Sequence, residues 1–376
     1  MNIEHQYLDL IKDILDHGVT KADRTGTGTR AVFGRQLRHN MDEGFPLLTT
    51  KSVPLRLVAT ELIWFLQGRT DLRWLVERNC NIWVGDAYKT YKTYANSLAE
   101  PDYNVHLDDP ADNRTRIFTE AEFIEFIIKN DDFSKKWGDL GPIYGKQWRH
   151  WCSKNTAIGV DDKGHITKWK ETGGIDQLAN VVDQLKNNPD SRRIMLTAWN
   201  PPEIAAAALP PCHYGFQFST RELTEDEKVI FLHKNGLDAL NDEGRKAFWE
   251  GDDVPKRKIS LMWNQRSVDT PLGLPFNIAS YALLLTIIAK EVKMIPDELI
   301  CSLGDTHIYL NQIEGANEQL SREPYNCPEL LMLDEFHYLM DDTDIPFTDK
   351  IDKLETKMFK VQNYKHHPKI NYPLSN

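Results

Sequence analysis

The chain of 376 residues is poor in cysteine, and the few it has are scattered. Five cysteines, at 80, 152, 212, 301 and 327, make an odd number with no CxxC pair. That argues against a disulfide framework or a structural zinc site and fits a reducing compartment. Positive charge is not in excess: 45 Lys and Arg against 56 Asp and Glu leave a net charge of −11. Sequence-independent binding to a nucleic-acid backbone needs a basic face, so none is expected, although local anion sites are compatible with the balance. Long apolar runs are missing too. The longest, Ile278 to Ala289, contains Ser280, Tyr281 and Thr286, is too short to span a bilayer, and reads as a buried helix. Met1-Asn2-Ile3-Glu4-His5-Gln6 has no basic stretch followed by an apolar one, so no secretory signal and a cytoplasmic location are expected. What is present, 41% hydrophobic and 27% charged residues, is the composition of a soluble globular protein.

Tyr7, Leu8, Leu10, Ile11, Ile14 and Leu15 recur at helical spacing, which stops near Gly18. Arg24-Thr25-Gly26-Thr27-Gly28-Thr29 follows, a polar loop whose backbone N–H groups and guanidinium suit an anion, as many glycine loops do. Leu55 to Leu66 again predicts a helix, with Glu61 either on its solvent face or buried for a purpose. Residues 87–136 change character: tyrosine and lysine, then a stretch rich in Asp, Asn and Pro, then an amphipathic segment from Glu120 to Ile128. This reads as a surface insert carrying a small helix. A second, charged insert at 222–258 separates two expected strands, Tyr214 to Thr220 and Ile259 to Trp263, and caps a long hairpin connection. The alternation of strands and helices predicts one mixed α/β domain over 1–376.

Candidate chemistry gathers around Leu209-Pro210-Pro211-Cys212-His213-Tyr214-Gly215-Phe216-Gln217. A lone cysteine is as readily a small buried hydrophobe. Here two prolines fix the approach of the chain, a histidine follows, and Arg192-Arg193 stands twenty residues upstream, features that suit a thiolate nucleophile. Arg24, Arg192, Arg193 and Arg266, followed by Ser267, match phosphate oxygens, or equally surface ion pairs. Asn277, at the end of Leu272-Gly273-Leu274-Pro275-Phe276-Asn277, offers the donor and acceptor that the N3–O4 edge of uracil requires, but a flipped amide matches cytosine. It also suits a helix start. His307 and Tyr309 alternate as on one strand face, for hydroxyl recognition or as core residues.

Taken together, these segments resemble the thymidylate synthase family. The likeness runs in family order through Asp23-Arg24-Thr25-Gly26-Thr27-Gly28, Phe45-Pro46-Leu47-Leu48-Thr49-Thr50-Lys51, Glu61-Leu62-Ile63-Trp64-Phe65-Leu66 and Gly138 to Arg149. It continues through Asp190-Ser191-Arg192-Arg193, the Cys212 segment, Asn264-Gln265-Arg266-Ser267-Val268-Asp269, Leu272 to Tyr281 and Gly304 to Tyr309. The resemblance implies a three-layer α/β fold, its large mixed sheet packed against a dimer mate and helices on the other side.

It further implies that Cys212 adds as thiolate to C6 of deoxyuridylate (dUMP), making C5 nucleophilic towards a one-carbon unit from 5,10-methylenetetrahydrofolate. Glu61, Asn277, Asp269, Tyr144 and His213 complete the implied catalytic set, with Glu61 relaying protons through water. Arg24, Arg266, Ser267, Gln217, Asn277, His307 and Tyr309 would hold the nucleotide, joined by Arg192 and Arg193 from the other subunit of a homodimer. Lys51, Ile82, Trp83, Asp269, Leu272, Gly273 and Phe276 would face the folate, and no metal is implied. The chain departs from the family at Val84-Gly85-Asp86, where an acidic residue and a second tryptophan are usual, and at Asn376, where an aliphatic residue is. Both border the space that decides whether hydride or water completes the reaction, so a deoxyuridylate hydroxymethylase stands as the alternative. A cytidylate hydroxymethylase resembles a branch with aspartate in place of Asn277, and an RNA-binding protein on an inactive synthase fold is a reading from another class.

Overall fold

The computed structural model describes residues 3–23, 25–98, 117–151, 156–160, 166–170 and 174–375. The chain opens with helix α1 (Ile3–His17), strands β1 (Val19–Lys21) and β2 (Thr29–Asn40), and helix α2 (Leu55–Leu66). Short helices follow: α3 (Leu72–Val76), α4 (Val84–Leu98), α5 (Glu120–Lys129), α6 (Asp131–Trp137) and α7 (Tyr144–Arg149). Then come β3 (Thr156–Val160), β4 (Ile166–Lys170), α8 (Gln177–Asn187), β5 (Met195–Thr197) and β6 (His213–Glu222). Helices α9 (Glu225–Lys234) and α10 (Asp242–Glu250) lead to β7 (Arg257–Asp269), α11 (Leu274–Glu291) and β8 (Ile295–Tyr309). The last elements are α12 (Ile313–Leu320), β9 (Glu329–Met332), α13 (Asp334–Asp341), α14 (Phe347–Asp352) and β10 (Phe359–Gln362). They fall into two compact units, one of Met1–Ala59, Leu178–Thr197 and Cys212–Ser375, the other of Thr60–Gln177 and Ala198–Pro211.

The first unit is built on a six-stranded mixed sheet in the order β1-β2-β8-β7-β6-β5. Its neighbours are antiparallel except β7 and β8, which run parallel because α11 carries the chain back between them. Period-2 alternation explains the inward face: Ile259, Leu261, Trp263 and Gln265 of β7 and Leu299, Cys301 and Leu303 of β8 are buried. Helix α11 lies over this face and is apolar around most of its surface, as a largely enclosed helix must be. It has the length and hydropathy of a membrane span, but most of it is buried inside the protein. Each of its enclosed Leu and Ile side chains contributes roughly 1.5–3 kcal/mol by leaving water. The two central strands touch closely at Gly304, where a Cβ would meet the Arg266 carbonyl oxygen at 2.6 Å. On the opposite face, register sets Met195, Gln217, Met262, Ile300 and Arg38 in one row across five strands, and these side chains are exposed or half-exposed.

The second unit has an aromatic centre in which Phe65 lies 4.8 Å from Tyr144 and 5.7 Å from Trp148. Helices α4, α5 and α6 carry a second aromatic cluster around Tyr91, 5.4 Å from Phe123 and 5.2 Å from Trp137. Helix α4 starts at Val84 and runs through residue 87 unbroken, and α5 is closed at its start by a Thr119–Glu122 capping box. Much of the 87–136 segment lies outside the described residues. In the 222–258 segment the structure places α9 and α10 between the antiparallel strands β6 and β7, whose pairing extends out to Glu222 and Arg257.

Candidate active site

Cys212 immediately precedes β6, held where the Arg266 N–H donates to its carbonyl at 2.8 Å. The pairing of β6 with β7 brings Arg266 and Ser267 to the sulfur: Nη2 of Arg266 lies 3.8 Å and Oγ of Ser267 3.9 Å from Cys212 Sγ. Arg266 Nη1 also donates to Ser267 Oγ at 3.2 Å. A guanidinium thus stands against a half-buried thiol, the setting a thiolate nucleophile needs. His213 turns the other way. It is buried, shares a 2.8 Å hydrogen bond between Nδ1 and the Tyr281 hydroxyl, and burial pushes its pKa down to about 3, so it stays neutral.

Asn277 lies in the first turn of α11, half-exposed, with Oδ1 accepting from Gln265 Nε2 at 3.1 Å. Gln265 is buried at the end of β7, a position that strand alternation alone does not distinguish from a core residue. Asp269 ends β7 opposite His307 of β8. Its Oδ1 accepts from the Leu272 N–H at 3.0 Å and its Oδ2 from Gln312 Nε2 at 2.9 Å, while desolvation raises its pKa. Gln312, another residue the sequence did not single out, also donates to the Pro373 carbonyl at 3.0 Å, and its Oε1 accepts from the Tyr309 N–H at 3.2 Å. One side chain therefore ties the C-terminal segment to Asp269 and Tyr309. Farther along, Ser375 Oγ accepts from Thr27 Oγ1 at 3.2 Å. His307 Nδ1 is 2.8 Å from Asp305 Oδ1, and its ring meets Tyr309 edge-on at 5.2 Å.

Lys51 is buried, donates to the Pro271 carbonyl and lies 5.0 Å over the Tyr372 ring; burial brings its pKa down to about 8. Leu272, Gly273 and Phe276 stand half-exposed where the chain enters α11. Gln217 reaches back to donate to the Arg192 carbonyl at 3.3 Å, and the side chains of Arg192 and Arg193 are exposed. Arg24 and Asn376 lie outside the described residues.

In the second unit, Glu61 of α2 is buried and accepts from the Trp83 indole N–H at 2.8 Å. Burial raises its pKa to about 7, with the Trp83 bond opposing the shift. Trp83 meets Tyr144 edge-on at 6.0 Å, whereas its neighbour Ile82 is exposed. Val84-Gly85-Asp86 forms the first turn of α4, with Val84 buried.

A family model described as thymidylate synthase matches residues 5–376. The chain belongs to the thymidylate synthase family. Among curated proteins, the thymidylate synthase of Listeria innocua serovar 6a is 38% identical over 373 residues, covering 98% of this chain and 99% of the relative. The thymidylate synthase of Listeria monocytogenes serotype 4b is 40% identical over 333 residues, covering 88% and 90%. The mixed sheet with helices on its inner face agrees with the fold this family membership carries. The Cys212 segment, the Asn264 to Asp269 strand end and the Leu272 to Tyr281 helix start thus all fall within the family match, and they meet where β6 begins and β7 ends.

Proposed function

We propose that this chain methylates dUMP to dTMP, with 5,10-methylenetetrahydrofolate as the one-carbon donor and dihydrofolate as the second product. The observation that carries the reading is the thiol of Cys212 set against Arg266 and Ser267, at the same end of β7 from which Gln265 orients the amide of Asn277. Cys212 attacks C6 of the pyrimidine, and the electrons displaced towards O4 leave C5 nucleophilic. Asn277 takes the pyrimidine edge, accepting from N3–H and donating to O4, which stabilises the charge that develops there. Arg266 and Ser267 serve the 5′-phosphate together with Arg24, and Gln217, His307 and Tyr309 complete the nucleotide contacts. His213, neutral and bound to Tyr281, keeps the start of β6 in place. Glu61, with a pKa of about 7, gives up and regains a proton readily near neutrality, as a relay at O4 and C5 requires, and Tyr144 packs beside its partner Trp83.

The residues around Asp269 fit a folate. Its carboxylate is an acceptor for a pterin N–H, and Leu272, Gly273 and Phe276 give an apolar approach beside the buried Lys51. Ile82 and Trp83 are the remaining folate-facing residues. When bound, the folate supplies the one-carbon unit and the hydride; the chain's own residues orient the nucleotide and exclude water. The names of the relatives favour the synthase over the hydroxymethylase.

The working molecule is a cytoplasmic homodimer of a chain that the family model matches over residues 5–376. The uncovered row Met195, Gln217, Met262, Ile300 and Arg38 gives a partner surface. The Gln217 bond holds the exposed Arg192–Arg193 turn at that face, where the two guanidinium groups can serve the partner's nucleotide.

Purified protein incubated with dUMP and methylenetetrahydrofolate is expected to release dTMP and dihydrofolate, and Cys212→Ser to abolish turnover while retaining dUMP binding. Release of 5-hydroxymethyl-dUMP with tetrahydrofolate instead would overturn the synthase reading. Unimpaired turnover in Cys212→Ser would remove the cysteine from the chemistry.

A further inference from the structure

An asparagine amide has nearly the same shape in its two flipped states and opposite hydrogen-bonding ends, so alone it reads uracil and cytosine equally well. Asn277 is not alone. Gln265 Nε2 donates to Asn277 Oδ1 at 3.1 Å and to the Ser267 carbonyl at 3.2 Å, while its Oε1 accepts from the Trp263 indole N–H at 3.2 Å. Gln265 is 3% exposed and Trp263 wholly enclosed, so water cannot replace a lost partner.

The direction of the chain of bonds is set at its root. An indole nitrogen only donates, so the end of Gln265 that faces Trp263 must be its oxygen. The Gln265 nitrogen then points at Ser267 and Asn277, and the end of Asn277 that meets it must be Oδ1. A flipped Asn277 would put its N–H donors against those of the buried Gln265 amide, a repulsive element against the wrong ligand. Trp263 itself is fixed: its ring lies parallel to Tyr281 at 4.8 Å with an interplanar angle of 4°, and the Tyr281 hydroxyl is bound to His213.

We propose that Trp263 and Gln265 are positioning residues that lock the Asn277 amide in the orientation complementary to uracil, so that discrimination against a cytosine nucleotide originates at a buried tryptophan that never touches the ligand. The inference rests on Asn277 reading the pyrimidine edge, as in the function proposed above. It is tested by titration calorimetry of the full-length wild type, Trp263→Phe and Gln265→Leu with dUMP and with dCMP. Trp263→Phe keeps the ring stack and deletes the N–H; Gln265→Leu deletes the donor to Asn277 and decides the matter if the first variant does not fold.

The dUMP-over-dCMP preference is expected to fall by about tenfold, the worth of one lost orienting bond. A merely structural role would weaken both nucleotides alike and leave their ratio unchanged. Folded variants that keep the wild-type ratio overturn the lock. A wild type that binds neither nucleotide overturns the proposed function instead.

Discussion

Glu61 shows how burial sets the charge state of one residue. Its carboxyl titrates near 4.5 in an unfolded chain and near 7 in the fold, because desolvation disfavours the anion more than the Trp83 N–H favours it. Below pH 4.5 both states hold the proton and its stability contribution is fully present. As pH rises towards 7 the unfolded chain ionises first, and stability is lost until the folded carboxyl ionises too, to a total of roughly 3 kcal/mol. Glu61→Gln, which never ionises, is therefore expected to gain stability relative to the wild type between pH 4.5 and 8 in urea unfolding; parallel stability curves for the two proteins would contradict this. Its kcat is expected to drop by about 10²–10⁴, the range of a lost general acid–base group, and the step near pH 7 in the rate profile should vanish. From the sequence, Glu61 was visible as a carboxylate inside an apolar helix, but not its partner, since Trp83 lies twenty-two residues away. Gln265 and Gln312 were hidden for a similar reason: an amide shows its function only when the groups on both sides of it are known.

Among the elements, the charged segment at 222–258 gains a physical role through Lys258. This lysine, 8% exposed on β7, lies 3.0 Å from Asp42, 3.3 Å from Glu227 of α9 and 3.2 Å from Asp297 of β8. Arg221 of β6 joins Glu227 and Asp297, and its guanidinium holds the Glu227 carboxyl well below the usual range. Replacing Lys258 by Met removes the buried cation that Asp42, Glu227 and Asp297 share and leaves only Lys234 and Arg221 beside them, a loss of about 3 kcal/mol expected in urea unfolding at pH 7. A lowered carboxylate pKa contributes stability above its unfolded value that is lost as pH falls through the folded one. The difference between Lys258→Met and the wild type should accordingly shrink on acidification; a constant difference would mean that packing, not charge, is at stake. Helices α1 and α2 were legible in the sequence from the spacing of their apolar residues, and α11 from its uninterrupted apolar run. The helices α9 and α10 were not, because so many charged residues surround the few aromatics, Phe231, Phe248 and Trp249, that pack together there.

At the scale of the whole molecule, one face of the sheet is covered by α11 and the other presents a row running from Met195 to Arg38. The fold class was legible because the motifs of one family succeed one another along the chain; a shared site was legible only through that likeness, as no spacing within one chain says which copy an arginine serves. Arg192 and Arg193 make the question measurable. In a two-fold dimer each site would combine Cys212 of one protomer with these arginines from its partner. A Cys212→Ser homodimer has no nucleophile, and an Arg192→Ala/Arg193→Ala homodimer binds the nucleotide phosphate poorly, so each is expected to be inactive or nearly so. Unfolded together and refolded as a mixture, about half of the dimers are hybrids, and each hybrid has one site in which an intact cysteine meets intact arginines. Activity should then return to about a quarter of the wild-type value at equal protein concentration. Arginines that serve their own chain give no intact site in any hybrid, so a mixture as inactive as its parents would place both arginines in cis and leave the uncovered face without a catalytic role.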